Sequence, residues 1–231
     1  MVKGTVHMKE ELRKKIIEYG ADICGFAGID RFVEAPKGFH PYDIFPECKS
    51  IIVFGLALPK GIYMAKSKLI YSYFNSFACP QVDQISFQVA AFLESTYHSI
   101  TVPLPCDGPY DYWDEEKMNG RGLLSMKHAA YLSGIGTLGK NTLLINKEYG
   151  NRLVIGCVLT DLEIESDEIA ATICPESCQL CIQNCPVGAI STNGVEQKPC
   201  RLNSYGKTKR GFDTVDCNCC RTVCPMRFGL K

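Results

Sequence analysis

Up to about residue 165 the spacing of apolar side chains changes repeatedly, and each change marks an element. KEELRKKIIEY (9–19) has helical spacing and runs into Gly20, which predicts a helix with a glycine stop. ADICGFAGI (21–29) predicts a strand, and the continuous apolar run SIIVFGLALP (50–59) predicts one buried on both faces. Between them, residues 31–49 are rich in proline, glycine and aromatics and read as an ordered loop. Val82, Ile85, Val89, Phe92 and Leu93 fall on one face of a helix over 80–98. ITVPLP (100–105) predicts a short strand, and GLLSMKHAAYLSG (122–134) a helix closed by glycine. TLLIN (142–146) and RLVIGCVLT (152–160) predict a hairpin around KEYGN. No internal repeat or low-complexity stretch interrupts this. The expectation is an α+β sandwich around a sheet over residues 1–165, with a second unit over 166–231.

That second unit has no such periodicity, and cysteine replaces it. The chain of 231 residues holds fourteen cysteines, nine of them within residues 174–224. Lys and Arg balance Asp and Glu at 25 each, so global charge points to neither a nucleic-acid nor a membrane surface. The basic start, MVKGTVHMKEELRKKI, has no apolar stretch behind it, and IIVFGLAL (51–58) is too short to cross a bilayer. The expected location is cytoplasmic, where reduced thiols make metal ligation a better reading than disulfides.

The spacing identifies the metal. Cys174, Cys178, Cys181 and Cys185, followed by Pro186, depart from the bacterial ferredoxin run C-x2-C-x2-C-x3-C-P only in the first gap. Cys217, Cys220 and Cys224, followed by Pro225, form a second run, with Cys200 as a remote partner. A short loop wraps three corners of a cubane, and the fourth cysteine of each run reaches the other cluster. Two [4Fe–4S] clusters are expected: one on Cys174, Cys178, Cys181 and Cys224, the other on Cys200, Cys217, Cys220 and Cys185. Zinc sites rarely combine such gaps with a closing proline. Cys219 reads as a bystander, and Cys24, Cys48, Cys79, Cys106 and Cys157 as inert thiols in apolar or turn contexts. Between the two runs, KPCRLNSYGKTKRGF (198–212) carries Lys198, Arg201, Lys207, Lys209 and Arg210 without an acid. It is either a solvated loop offsetting cluster charge or a docking strip for an anion.

GIGTLGKNT (134–142) looks at first like a nucleotide loop. A dinucleotide or P-loop glycine run must follow a strand and open a helix, whose N-terminal amides hold the phosphate. Here the predicted order is helix, glycines, strand, and Asn141 stands where a P-loop needs Ser or Thr. The nucleotide reading fails on context. A tight helix-to-strand turn remains, either packing on itself or lying against a large ligand.

KHAAYLSGIGTLGKNTLLI (127–145), VLTDLEI (158–164) and the two cysteine runs together resemble the epoxyqueuosine reductases, cobalamin-dependent iron–sulfur enzymes of tRNA modification related to reductive dehalogenases. The resemblance is strongest over residues 122–225. It implies a nitroreductase-like cobalamin-binding domain followed by a small bacterial-type 2[4Fe–4S] ferredoxin domain that delivers electrons to cobalt. By the same resemblance Gly136, Gly139, Lys140, Asn141 and Thr142 would lie against the corrin, and Arg121, Lys127 and His128 would hold the corrin's side chains or a charged substrate. The family's proton-donating aspartate lies seven residues before an arginine. Here those two positions hold Gly120 and Lys127, and CDGPYDYWDEEKMNGRG (106–122) reads as an insertion that disturbs the register. Asp107 or Asp114, with Tyr110 and Tyr112 as further candidates, would take the donor's place, with Lys127 nearby.

Many relatives continue into a helical-repeat domain that grips RNA, whereas this sequence ends seven residues after Cys224. The expectation is a short form for which tRNA is disfavoured as a partner. Its substrate would be a small molecule or modified nucleoside, and its reductant an external donor of flavodoxin or ferredoxin type. The competing expectations are an electron-transfer module with two clusters and no corrin, and a flavin-binding reductase.

Overall fold

The computed structural model describes residues 2–230, with side chains from residue 7 onward. Its centre is a four-stranded antiparallel sheet of β1 (Ile23–Gly28), β2 (Ser50–Ala57), β3 (Thr101–Leu104) and β4 (Leu153–Thr160), in the order β1-β2-β4-β3. The two central strands are covered on both faces, which explains their unbroken apolar runs. Alternation then sorts their side chains. Ile51, Val53, Cys157 and Leu159 face one layer, and Ile52, Phe54 and Val158 the other. On the second face lie α1 (Val2–Glu18) and α2 (Lys68–Tyr97), through Leu12, Ile16, Val82, Ile85, Val89 and Leu93. On the first face lie α3 (Met126–Leu132), through Ala129 and Ala130, and the apolar members of the glycine loop, Ile135 and Leu144. Each large apolar side chain fully buried this way contributes roughly 1.5–3 kcal/mol.

Two expectations about elements need correction. The helix expected to start at Pro80 begins at Lys68 and runs thirty residues straight through the proline. An interior proline costs about 3 kcal/mol. Burial of Tyr71 and Ala78 before it, and of Val82 and Ile85 after it, offsets that cost. The expected hairpin of 142–146 with 152–160 does not form. Leu144–Ile145 pairs instead with Thr137–Leu138, because β2 and β3 occupy both edges of β4. Only the Asn146–Gly150 bridge remains of the expected turn.

Residues 161–173 return across the molecule without regular structure. They are anchored by Asp167, whose carboxylate accepts from Arg13 at 3.0 Å through both oxygens and from the Phe26 amide at 3.1 Å, and pairs with Lys9 at 2.8 Å. Arg31 donates to the carbonyls of both Leu132 and Asp167 at 2.6 Å. At this crossing Gly134 has φ +76°, and a Cβ there would sit 2.2 Å from the Glu168 carbonyl oxygen. Gly134→Ala therefore combines a left-handed backbone with a backbone clash and should destabilise the fold by about 3 kcal/mol in urea unfolding.

Beyond the crossing come the short helices Leu180–Gln183, Gln197–Ser204 and Cys219–Thr222 and two small ribbons. They pack closely on the sheet unit. Asn151 and Arg221 exchange hydrogen bonds, Asn151 Nδ2 to the Arg221 carbonyl at 3.1 Å and Arg221 to the Asn151 carbonyl at 2.6 Å. No helix among the described residues is long and apolar enough to cross a membrane.

Candidate metal centre

Cys174, Cys178, Cys181 and Cys224 line one small pocket, together with Pro175, Pro225, Leu180, Ile145, Lys140 and Asn141. Burial raises the Cys224 thiol, and the charges of Cys174, Cys181 and Cys178 raise it further, so the distant cysteine closes this ring. The helix Leu180–Gln183 turns Cys181 inward, and the turn closed by the Cys178 amide on the Pro175 carbonyl (3.1 Å) carries Cys178. The other thiols gather nearby. Burial pushes Cys220 up to about 11, with Cys200 and Cys217 adding to the rise after Arg221 opposes it. Cys219 is raised by burial and then by Cys217, and Cys185 also acts on it. Cys219 therefore shares the region of the second set, as its place between Cys217 and Cys220 requires.

The donor set decides what these thiols can hold. Four thiolates on one zinc ion converge to about 3.8 Å from one another, since each Zn–S bond is about 2.3 Å. No group of three or more Cys, His, Asp or Glu among the described residues converges on a single ion in this way. Cysteines of both runs around one pocket are the donor set that an iron–sulfur cluster takes.

The residues expected to contact a corrin are committed elsewhere. Lys140 Nζ donates to the carbonyls of Cys178 (2.8 Å), Pro175 (3.3 Å) and Glu176, so it clasps the loop between Cys174 and Cys178. Asn141 is buried, donating to the Cys220 carbonyl at 3.0 Å and accepting from the Leu143 amide at 3.2 Å. Together they tie the glycine loop to both cysteine runs. The glycines make this possible: a Cβ on Gly136 would lie 2.5 Å from the Ile145 carbonyl oxygen, and one on Gly139 2.6 Å from Ile145 Cδ1. The space above both is filled by this chain, and Thr142 supplies the left-handed turn at φ 57°. At these positions the loop packs on this chain's own atoms.

The proton-donor candidates separate. Asp114 caps its own turn, accepting from the Lys117 amide at 2.9 Å within the ribbon Tyr112–Asp114/Asn119–Arg121. Asp107 is exposed, and its charge reaches Cys79, Cys106 and Tyr205. Neither pairs with Lys127 among the described residues. Arg121 is exposed, with its guanidinium 5.4 Å from the Phe39 ring and 5.5 Å from Tyr112. His128 is an exposed first-turn residue whose Nδ1 meets Ser125 Oγ at 2.7 Å.

Lys127 is the exception. It is half-buried, and its pKa is lowered first by burial and then by Arg221, while Cys220 and Cys200 pull it back up. The thiols whose charge acts on it are thus those of the second group. Lys127→Met should lower that cluster's midpoint potential by about 50 mV, since roughly 1 kcal/mol of attraction for the reduced form is lost. Spectroelectrochemical titration reads this directly.

Sequence reasoning also missed how the 106–122 segment is held. Gln197 exchanges hydrogen bonds with Gly120 (3.0 and 3.2 Å), and Lys198 donates to the Glu116 carbonyl at 2.8 Å. Arg201, beside Cys200, lies 5.1–5.8 Å from the rings of Tyr110, Trp113 and Tyr205. Aromatics in an acidic segment and arginine in an acid-free one were the available signal.

No family model matches the chain. An epoxyqueuosine reductase of Lactococcus garvieae is 26% identical over 97% of the chain and 71% of its own length. One of Listeria monocytogenes is 33% identical over 49% of the chain and 32% of its own length. A crystal structure of selenomethionine-labelled epoxyqueuosine reductase superposes with TM-score 0.70 at 22% identity, over 96% of this chain and 66% of that one. The chain is thus similar to epoxyqueuosine reductases in sequence and in fold. A further epoxyqueuosine reductase, solved with an epoxyqueuosine-modified tRNA stem loop, superposes with TM-score 0.66 at 21% identity, over 96% of this chain and 66% of that one. The likeness is shared along nearly the whole chain, which spans about a third of the Listeria relative and about two thirds of each solved structure.

Proposed function

We propose that this chain is an iron–sulfur oxidoreductase of epoxyqueuosine reductase type, with two [4Fe–4S] clusters held crosswise in the unit after residue 165. The observation that carries the reading is the cavity ringed by Cys174, Cys178, Cys181 and Cys224, a set that joins both cysteine runs. When bound, such clusters supply reversible one-electron steps at low potential. The chain's own groups shape those steps. Lys140 fixes the carbonyls of the first ligand loop, Asn141 links that loop's support to Cys220, and Lys127 places a cation against the second thiol group.

The substrate class is a modified nucleoside of the epoxyqueuosine kind. Two electrons and two protons convert its epoxide to an alkene and water. The relative solved with a tRNA stem loop counts against the expectation that RNA is disfavoured, and the nucleoside within such a stem loop is the substrate to test first.

Cobalamin is the cofactor that the relatives imply, and the Lys140 and Asn141 side chains are not free to hold it. Both donate to cysteine-loop carbonyls, and a Cβ on Gly136 or Gly139 would meet Ile145. That commitment favours the second reading, an electron-transfer module without a corrin. Cluster-loaded protein titrated anaerobically with cob(II)alamin separates the two. A changed cobalt EPR signal, with deoxygenation of the stem-loop nucleoside, supports the reductase. Intact clusters with an unchanged cobalt signal and no product would sink it in favour of the module.

A further inference from the structure

Charge is balanced over the whole chain but not over its surface. Residues 50–82 contain no Asp or Glu and carry Lys60, Lys66 and Lys68. Residues 197–212 contain none either and carry five cations. The fold brings these distant stretches together. The first half of α2 packs on the ribbon Tyr205–Lys207/Asp213–Val215, where the Val215 amide donates to Ser72 Oγ at 2.8 Å. An open groove runs between them, lined by Leu69, Ser72, Tyr73, Phe77, Phe212 and Thr214 among others. Of these, Leu69, Tyr73, Phe77 and Phe212 are exposed, and Phe74 is exposed beside them. Lys66, Lys68, Lys207, Lys209 and Arg210 stand around it, all exposed apart from the half-buried Thr208 beside them. Lys207 pairs with Asp213 at 2.5 Å, while Lys66, Lys68 and Lys209 have no acidic partner among the described residues. An apolar centre inside a charged rim is the anatomy of a protein–protein surface.

Its position gives that surface a purpose. Thr214, in the groove's lining, lies three residues before Cys217, and Val215 beside it holds Ser72 of the opposite wall. The face therefore backs onto the second thiol group. We propose that it is the docking surface for an acidic flavodoxin-type carrier, with the cluster of Cys200, Cys217, Cys220 and Cys185 as the port of entry. This rests on the iron–sulfur reading above. A flavin carrier presents an apolar flavin edge among carboxylates, which complements an apolar centre among lysines. One electron leaves the flavin hydroquinone, which becomes the semiquinone, and the cluster gains it; no bond or group is transferred.

Single-stranded RNA would need open ring faces on which bases can stack. Here Tyr73 and Phe77 stack on each other at 6.1 Å, Phe74 meets Phe77 edge-on at 6.2 Å, and Arg210 lies 5.8 Å from the Phe212 ring. The rings are already engaged with one another and with arginine.

The test uses the cluster-loaded full chain, anaerobically, with a bacterial flavodoxin as probe. Calorimetry gives the Kd, and stopped-flow mixing with flavodoxin hydroquinone gives the rate of cluster reduction. The double variant Lys209→Glu with Arg210→Glu, and separately Phe212→Ser, should each weaken binding and slow reduction by about tenfold or more. Wild-type binding should weaken as salt rises, and reduction by dithionite should be the same in all three proteins. Unchanged Kd and rate in the variants, or no flavodoxin binding by the wild type, would overturn the proposal. So would loss of affinity for an epoxyqueuosine stem-loop RNA with flavodoxin binding intact, which would give the surface to RNA. Failure of dithionite to bleach the wild type would instead fault the iron–sulfur reading, and the docking proposal would fall with it.

Discussion

Cys178→Ser and Cys224→Ser should each remove the same half of the iron. Both residues line the cavity shared with Cys174 and Cys181, although one belongs to each cysteine run. Each variant should retain about four irons of about eight, and the double variant should also retain about four. Pairing Cys178→Ser with Cys220→Ser should leave almost none, because Cys220 groups with Cys200 and Cys217. If each run instead held its own cluster, the Cys178–Cys224 double variant would lose all the iron. Cys219 can be assigned by the same assay: as a bystander, Cys219→Ser keeps both clusters, and Cys217→Ser does not. The expected loss is large because an open thiolate position removes a whole cluster, and metal binding here is part of folding.

Lys140→Met should loosen the first cluster selectively. The ammonium bridges three carbonyls of the Pro175–Cys178 turn, and a hydrogen bond from a charged donor is worth about 1.5–3 kcal/mol. Three acceptors share one cation, so the combined effect is placed at about 3 kcal/mol rather than the full sum. That corresponds to roughly 100-fold faster iron release to a chelator. The second cluster, which Lys140 does not touch, should release iron at its wild-type rate. Lys140→Arg, which keeps the charge, should recover part of the loss. Equal loosening of both clusters would mean that the substitution acts through general instability and not through this clasp.

The cysteine runs could be read as candidate cluster ligands because ligand spacing is local chemistry. A loop of fixed length either reaches the corners of a cubane or does not. The rejection of a nucleotide loop was legible for a similar reason, since it needed only the order of helix, glycines and strand. Central strands announced themselves through unbroken apolar runs. What stayed hidden depended on contacts distant in sequence. Nothing local to Pro80 says that burial on either side carries the helix through it. Nothing in TLLIN says that both edges of β4 are already taken. Lys140 is the clearest case. Its neighbours suggested a ligand, and its partners are carbonyls some 35 residues downstream, groups that every residue carries and no sequence pattern marks. In segment 106–122 the carboxylates, Tyr110 and Tyr112 drew notice, but nothing local marks the contact that Tyr110 and Trp113 make with Arg201.

The two cysteine sets, and with them the proposed function, require iron and sulfide on these thiols. Iron, acid-labile sulfide and zinc should be quantified on protein purified without oxygen, alongside EPR of the dithionite-reduced sample. About eight irons and eight sulfides per chain, with little zinc and the signals of reduced [4Fe–4S] clusters, are expected. Stoichiometric zinc, or disulfides linking Cys174, Cys178, Cys181 or Cys224, would contradict the account.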